Sequence, residues 1–139
     1  MTQIHIAAAG RLREPYWKDA CAEYAKRLTA YCKLTVSEVG DTQAPEPPAG
    51  FFRVALCSEG ESLSSEELAG KLRVWQNSGL SRIAFLIGGS DGLPESVKKS
   101  AGLRLSLSAM TWPHHMVRAM LLEQIYRAFT ILEGGKYHK

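Results

Sequence analysis

The chain has 139 residues, 45% of them hydrophobic and 22% charged, and a formal net charge of +3. This composition suits one domain, residues 1–139, with a real core, and excludes a disordered chain. No apolar run approaches the roughly 20 residues of a membrane helix, and no basic region opens a signal peptide, so the cytoplasm is the expected compartment.

Ile4 to Ala9 is a short apolar run broken by Gly10, which predicts a first strand. Glu14-Pro15 opens a helix, because proline at a first-turn position sacrifices no hydrogen bond. Trp17, Cys21, Tyr24, Leu28 and Tyr31 then recur at helical spacing. Leu34 to Val39 alternates like a half-exposed strand, and the proline-rich segment from Ala44 to Gly50 reads as a rigid connector.

Phe51 to Cys57 predicts a third strand. Ser64-Ser65-Glu66-Glu67 places a capping residue before acidic first-turn residues, and Asn77-Ser78-Gly79 ends that helix. Arg82 to Ile87 is nearly all apolar, as in a strand covered on both faces. A short helix follows Pro94, then a strand from Leu103 to Leu107 and a long helix from about His115 to Leu132. Strands alternate with helices, which predicts an α/β fold with a mainly parallel sheet flanked by helices.

Three cysteines, Cys21, Cys32 and Cys57, are widely spaced and unpaired in pattern, which argues against a disulfide framework. Basic residues gather between Arg11 and Lys33 and between Arg118 and Lys139, but a bias this mild does not identify a nucleic-acid partner.

Three stretches spend Gly, Ser, Thr and His where a core has no use for them: Gly88 to Gly92, Ser106 to His115, and Tyr137 to Lys139. Ligands in such sheets sit beyond the carboxyl ends of strands. The glycine stretch is neither a dinucleotide fingerprint nor a phosphate loop, so a ligand loop and a tight turn both remain open. Thr111 is a candidate cap and Pro113 suits a helix start; adjacent histidines at 114 and 115 do not form a metal pair. The long helix carries a broad apolar face from Met116 to Ile131, suited to the core or to a second subunit. The tail after Gly134-Gly135 is expected to be mobile.

These motifs together resemble the ribosomal RNA large subunit methyltransferase H family of the SPOUT class. The likeness runs from Ala9-Gly10-Arg11-Leu12 and Tyr16-Trp17 through Phe85 to Gly92. It continues in Ser106-Leu107-Ser108, Met110-Thr111, Pro113-His114, Arg118, Glu123-Gln124, Tyr126-Arg127 and Tyr137-His138-Lys139. The resemblance implies a C-terminal trefoil knot, a homodimer, and S-adenosyl-L-methionine as methyl donor, with no metal. It places the donor on Leu56, Gly88 and the stretch Leu107, Ser108, Ala109, Met110, Thr111 and Trp112. The implied reaction methylates N3 of a pseudouridine in a large-subunit rRNA stem-loop, on the assembled ribosome. His138 is the implied proton acceptor, since imidazole titrates near pH 6.5. Tyr137 would orient the base, and Arg118, Arg127 and Lys139 would contact RNA.

Two departures stand out. Family members carry an additional, partly helical segment where this chain has only residues 44–50, and His115 replaces another residue type. A SPOUT enzyme acting on transfer RNA and a non-enzymatic ribosome-binding module are the alternatives.

Overall fold

The computed structural model describes residues 1–139. Its elements in chain order are β1 (Thr2–Ala9), α1 (Pro15–Leu28), β2 (Cys32–Val39), β3 (Phe52–Ser62), α2 (Ser65–Asn77), β4 (Arg82–Ile87), α3 (Glu95–Ser100), β5 (Leu103–Ser106) and α4 (His114–Leu132). The five strands form one sheet in the order β2-β1-β4-β3-β5, and every pairing is parallel. The sheet expected from the alternating pattern is therefore present.

Period-two alternation divides the strands between two cores. Ile4, Ile6, Val54, Ile83 and Phe85 face α1, α2 and α4, where they meet Leu28, Leu72, Leu121 and Ile125. Ala7, Ala55, Ala84 and Leu86 face the other way, against Leu93 and Val97 of the α3 region. The connector covers part of that second face: Pro45 and Pro47 are buried, and Glu46 pairs with Arg53 at 2.8 Å. Both faces of a parallel sheet are thereby kept from water.

Local chemistry sets the helix boundaries. Pro15 stands at the start of α1, as expected. The Ser64 hydroxyl accepts from the Glu67 N–H at 3.0 Å, while the Glu67 carboxylate accepts from the Ser64 N–H at 2.8 Å. This reciprocal box satisfies two donors that the first turn of α2 leaves free. Thr111 does not cap α4; Pro113 occupies the cap position and no side chain bonds there.

Three regions differ from expectation. β3 continues to Ser62, because its ladder with β5 slips between Leu56 and Glu61 and resumes after the slip. The polar residues between are a bulge, and a Cβ at Gly60 would lie 2.8 Å from the Arg104 backbone. β5 is shorter than expected, ending at Ser106. At the C-terminus the chain turns back onto α4 rather than leaving it. Gly134 adopts φ +69°, its N–H donates to Ile131 O at 3.1 Å, and the Gly135 N–H donates to Thr130 O at 2.8 Å. The paired bonds form a Schellman cap, so the double glycine redirects the tail.

Candidate functional site

The carboxyl ends of β3, β4 and β5 and the start of α4 enclose a cavity of about 530 Å³. Leu56, Cys57 and Ser58 enter it from β3, and Ile87 to Gly92 from the loop after β4. The β5–α4 loop supplies Leu107, Ser108, Met110, Thr111 and Trp112, and α4 adds His114 and Val117. Seven of the eight positions assigned to the methyl donor therefore share one cavity; Ala109 alone does not line it.

Each loop has a local reason for its shape. A Cβ on Gly88 would lie 2.4 Å from the Gly92 carbonyl carbon, and one on Gly89 would lie 2.2 Å from Asp41 O. Only glycine permits these approaches. The Ser106 hydroxyl donates to Ser108 O at 2.9 Å, and the Ser108 hydroxyl accepts from the Met110 N–H at 3.0 Å. Such short-range bonds fold the loop without regular structure. Met110 and Trp112 form an exposed apolar rim, with relative exposures of 71% and 39%.

The glycine loop is tied to a residue that sequence reasoning missed. Asp41, just beyond β2, accepts from the Ser90 N–H at 3.0 Å and from the Ser90 hydroxyl at 2.5 Å. Hydrogen bonding from the Ser90 hydroxyl, with its N–H, holds the Asp41 carboxyl below the usual carboxylate range. His114 Nε2 is 3.6 Å from the same carboxylate. Burial lowers the pKa of His114 below its ordinary value, and the neighbouring His115 adds to this. His115 turns away to Glu14, 3.2 Å distant, so the two histidines serve different carboxylates.

Arg118, expected to contact RNA, is buried. Its side chain is 5% exposed and donates to the Glu38 carboxylate and, at 2.9 Å, to Gly10 O. These bonds join α4 to the ends of β1 and β2, and Arg118 Nε has no partner. Of the basic residues between Arg118 and Lys139, this one has its charge neutralised inside the fold.

Tyr137 and His138 lie beside a second cavity, of about 480 Å³, which Tyr24, Ser64, Ser65, Met120, Glu123 and Gln124 help to line. It shares Leu105, Ser106 and Leu107 with the first. The Tyr137 hydroxyl donates to Glu123 at 2.7 Å and stands 3.4 Å from the Tyr24 hydroxyl. Burial, with these two partners, raises the Tyr137 phenol well above its usual range. Arg127 donates to His138 Nδ1 at 3.0 Å and covers the Tyr137 ring at 4.8 Å. With Nδ1 accepting, Nε2 carries the proton and donates to Glu66 at 2.5 Å. Lys139 is exposed. No group of three or more His, Cys, Asp or Glu is arranged to hold a metal ion, and no helix is long and apolar enough to cross a membrane.

The model of the family described as "Predicted SPOUT methyltransferase" matches residues 2–138. The chain belongs to the SPOUT methyltransferase family. It is 44% identical over 159 positions to the ribosomal RNA large subunit methyltransferase H of Pelotomaculum thermopropionicum, with 99% of each chain covered. The protein of that name from Desulforamulus reducens is 42% identical over 160 positions, covering all of both chains. That from Clostridium botulinum strain Langeland is 41% identical over 157 positions, covering 98% of this chain and 99% of the relative. These matched stretches exceed the 139 residues of the chain, so the relatives carry residues that this SPOUT methyltransferase lacks. Among solved structures, a probable methylase family protein from Haemophilus influenzae Rd KW20 superposes with a TM-score of 0.55 at 9% identity. It matches 99% of this chain and 70% of its own, and shares the fold.

Proposed function

We propose that this enzyme transfers a methyl group from S-adenosylmethionine to N3 of a pseudouridine in large-subunit rRNA. The observation that carries the reading is the convergence of the loops after β3, β4 and β5 on one cavity, in a family member whose relatives bear that rRNA methyltransferase name. The assembled ribosome in the cytoplasm is the substrate, and RNA is recognised largely by its shape. The C-terminal trefoil knot implied by family resemblance belongs to this reading.

The residues present fit the donor. A volume of about 530 Å³ lies within the usual range for a small-molecule site. Leu56, Ile87, Leu107 and Val117 offer apolar wall for a purine, while Ser58, Asp91 and Thr111 offer polar groups for an amino-acid moiety. Bound there, S-adenosylmethionine supplies an electrophilic methyl carbon on a sulfonium centre.

The chain supplies orientation and a proton acceptor. N3 of a neutral pseudouridine carries a proton that must leave as nitrogen attacks carbon, so a base must lie within hydrogen-bond reach. On this reading His138 accepts that proton and Tyr137, a neutral phenol, orients the pyrimidine. Both His138 ring nitrogens are engaged by Arg127 and Glu66 on the far side of the β5–α4 loop. Only Nδ1 holds a lone pair, so proton acceptance requires His138 to part from Arg127, or a second copy of the chain to present its own tail with that nitrogen free. The homodimer implied by the family resemblance meets the second requirement, with Arg127 and Lys139 beside the RNA.

The test is methyl transfer from labelled S-adenosylmethionine to ribosomes that lack the modification, compared with free subunits and naked rRNA. Label on one pseudouridine, located by mass spectrometry and found chiefly in assembled ribosomes, supports the reading. Donor binding with no label on rRNA would move the target elsewhere, and no donor binding would overturn the reading.

A further inference from the structure

We propose that Asp41 is a positioning residue for the methyl donor, whose carboxylate holds the Gly89-Ser90 loop and His114 as two walls of the donor cavity. The inference rests on the reading of that cavity as the donor site. Asp41 follows β2, an edge strand two places from β4, and so belongs to neither wall by sequence or by strand. Its carboxylate nevertheless reaches over the end of β1 to both. The way is clear because residue 10 is glycine: a Cβ there would stand 3.2 Å from His114 Nε2 and 3.4 Å from Asp41 Oδ1.

The geometry is two-pronged. One carboxylate oxygen accepts from the Ser90 N–H and the other from the Ser90 hydroxyl, at 3.0 and 2.5 Å. The first oxygen also stands 3.6 Å from His114 Nε2, at the N-terminus of α4. Behind this pairing the Asp41 carbonyl packs against Gly89 so closely that no side chain fits there.

The consequence is energetic as well as geometric. Gly88, Gly89 and Gly92 make the loop after β4 costly to order, since glycine has the most backbone freedom to lose. A ligand that had to order this loop would bind more weakly by that cost. Asp41 orders it beforehand, from a turn after β2 that makes no wall of the cavity itself. Charge-assisted bonds to a carboxylate are the stronger class, so one residue suffices for the task. The turn after β2 thus acts on donor affinity although it lies outside the donor-binding loops.

The test is calorimetric binding of S-adenosylmethionine and S-adenosylhomocysteine to the full chain without RNA. It compares wild type, Asp41→Ala, Asp41→Asn, Ser90→Ala and the Asp41→Ala/Ser90→Ala double variant. Ligand-free unfolding and hydrogen exchange at residues 88–92 are followed in parallel. Asp41→Ala is expected to weaken binding about tenfold or more, with Asp41→Asn between it and wild type. Because Asp41 acts through Ser90, the double variant should lose less than the product of the two single losses. Exchange at 88–92 should rise in Asp41→Ala and fall back when the donor is added. Wild-type binding with affinity within twofold in Asp41→Ala, or strictly multiplicative losses, would overturn the inference. No binding by wild type would instead overturn the donor reading beneath it. Should Asp41→Ala fail to fold, Asp41→Asn, Ser90→Ala and their double variant decide the matter by the same comparison.

Discussion

Tyr137 donates its hydroxyl proton to Glu123, fourteen residues earlier on α4, and this 2.7 Å bond docks the end of the chain. The Tyr137 ring also packs edge-on against Tyr126, with centroids 4.8 Å apart. Glu123 further binds Arg127, which in turn donates to His138. One carboxylate thus organises both tail residues assigned to chemistry. Replacing Glu123 by Ala should raise hydrogen exchange at residues 135–139 by tenfold or more, about 1.4 kcal/mol of local opening, with little change in the core. Equal protection in wild type and variant would show that the Schellman cap alone holds the tail.

Arg118 and Glu38 define a second dependence, this one on stability and pH. Removing Arg118 leaves a carboxylate that is only 28% exposed, and breaking such a pair from one side is costlier than replacing both partners. Because Glu38 keeps some solvent, Arg118→Ala should cost about 2–3 kcal/mol, below the fully buried range. Burial pushes the Glu38 carboxyl up, but hydrogen bonds from Arg118 and from the Leu12 N–H outweigh it, and the net pKa lies below 4.5. A carboxylate depressed in the folded state adds stability above its unfolded pKa and loses it as pH falls through the folded value. Wild type should therefore lose stability below about pH 4.5. Glu38→Gln, followed by denaturant unfolding from pH 7 to 3, should lie below wild type at pH 7 and converge on it in acid. A constant gap would remove Glu38 as a source of the acid sensitivity.

What could be read from the sequence was local. The Ser64–Glu67 box spans three residues, the helical faces repeat every turn, and the polar loops follow apolar runs directly, so each signal lies within one element. What escaped was decided between distant parts of the chain. Asp41 meets Ser90 across 49 positions and Arg118 meets Glu38 across 80, and a lone Asp in a turn or a lone Arg on a helix does not disclose its partner. The bulge in β3 was hidden because Ser58-Glu59-Gly60-Glu61 has the composition of a loop, although the strand resumes beyond it. The contacts of the tail escaped for a related reason: Gly-Gly before a terminus is the same string whether it frees the chain or folds it back. Function was legible only through the several family motifs taken together.

Two glycines make a paired test of close backbone contact. Gly89→Ala would drive a methyl group into the Asp41 carbonyl, 2.2 Å away, where backbone rather than a flexible side chain must yield. A loss of about 1–3 kcal/mol and weaker donor binding are expected, read by thermal unfolding and calorimetry. Gly70→Ala is the counterpart, since Gly70 lies within α2 with no atom within 4 Å of an added Cβ. It should stabilise the fold by about 0.5–1 kcal/mol, because alanine loses less backbone freedom in a helix. If both substitutions moved the unfolding midpoint the same way, the contact at Gly89 would not be the one described.

The assignment of His138 as proton acceptor separates chemistry from binding. His138 lines neither the donor cavity nor its rim, so His138→Ala should leave the calorimetric affinity for S-adenosylmethionine within twofold of wild type. Turnover on ribosomes should fall by roughly a hundredfold or more, the usual contribution of a positioned general base. The conservative variant His138→Gln retains hydrogen-bonding groups but cannot accept the proton near neutral pH, so it should be as slow as the alanine variant. Retained turnover in His138→Ala would remove the residue from the proton transfer. Weakened donor binding with unchanged turnover at saturation would reassign the tail to holding the donor rather than to deprotonating the base.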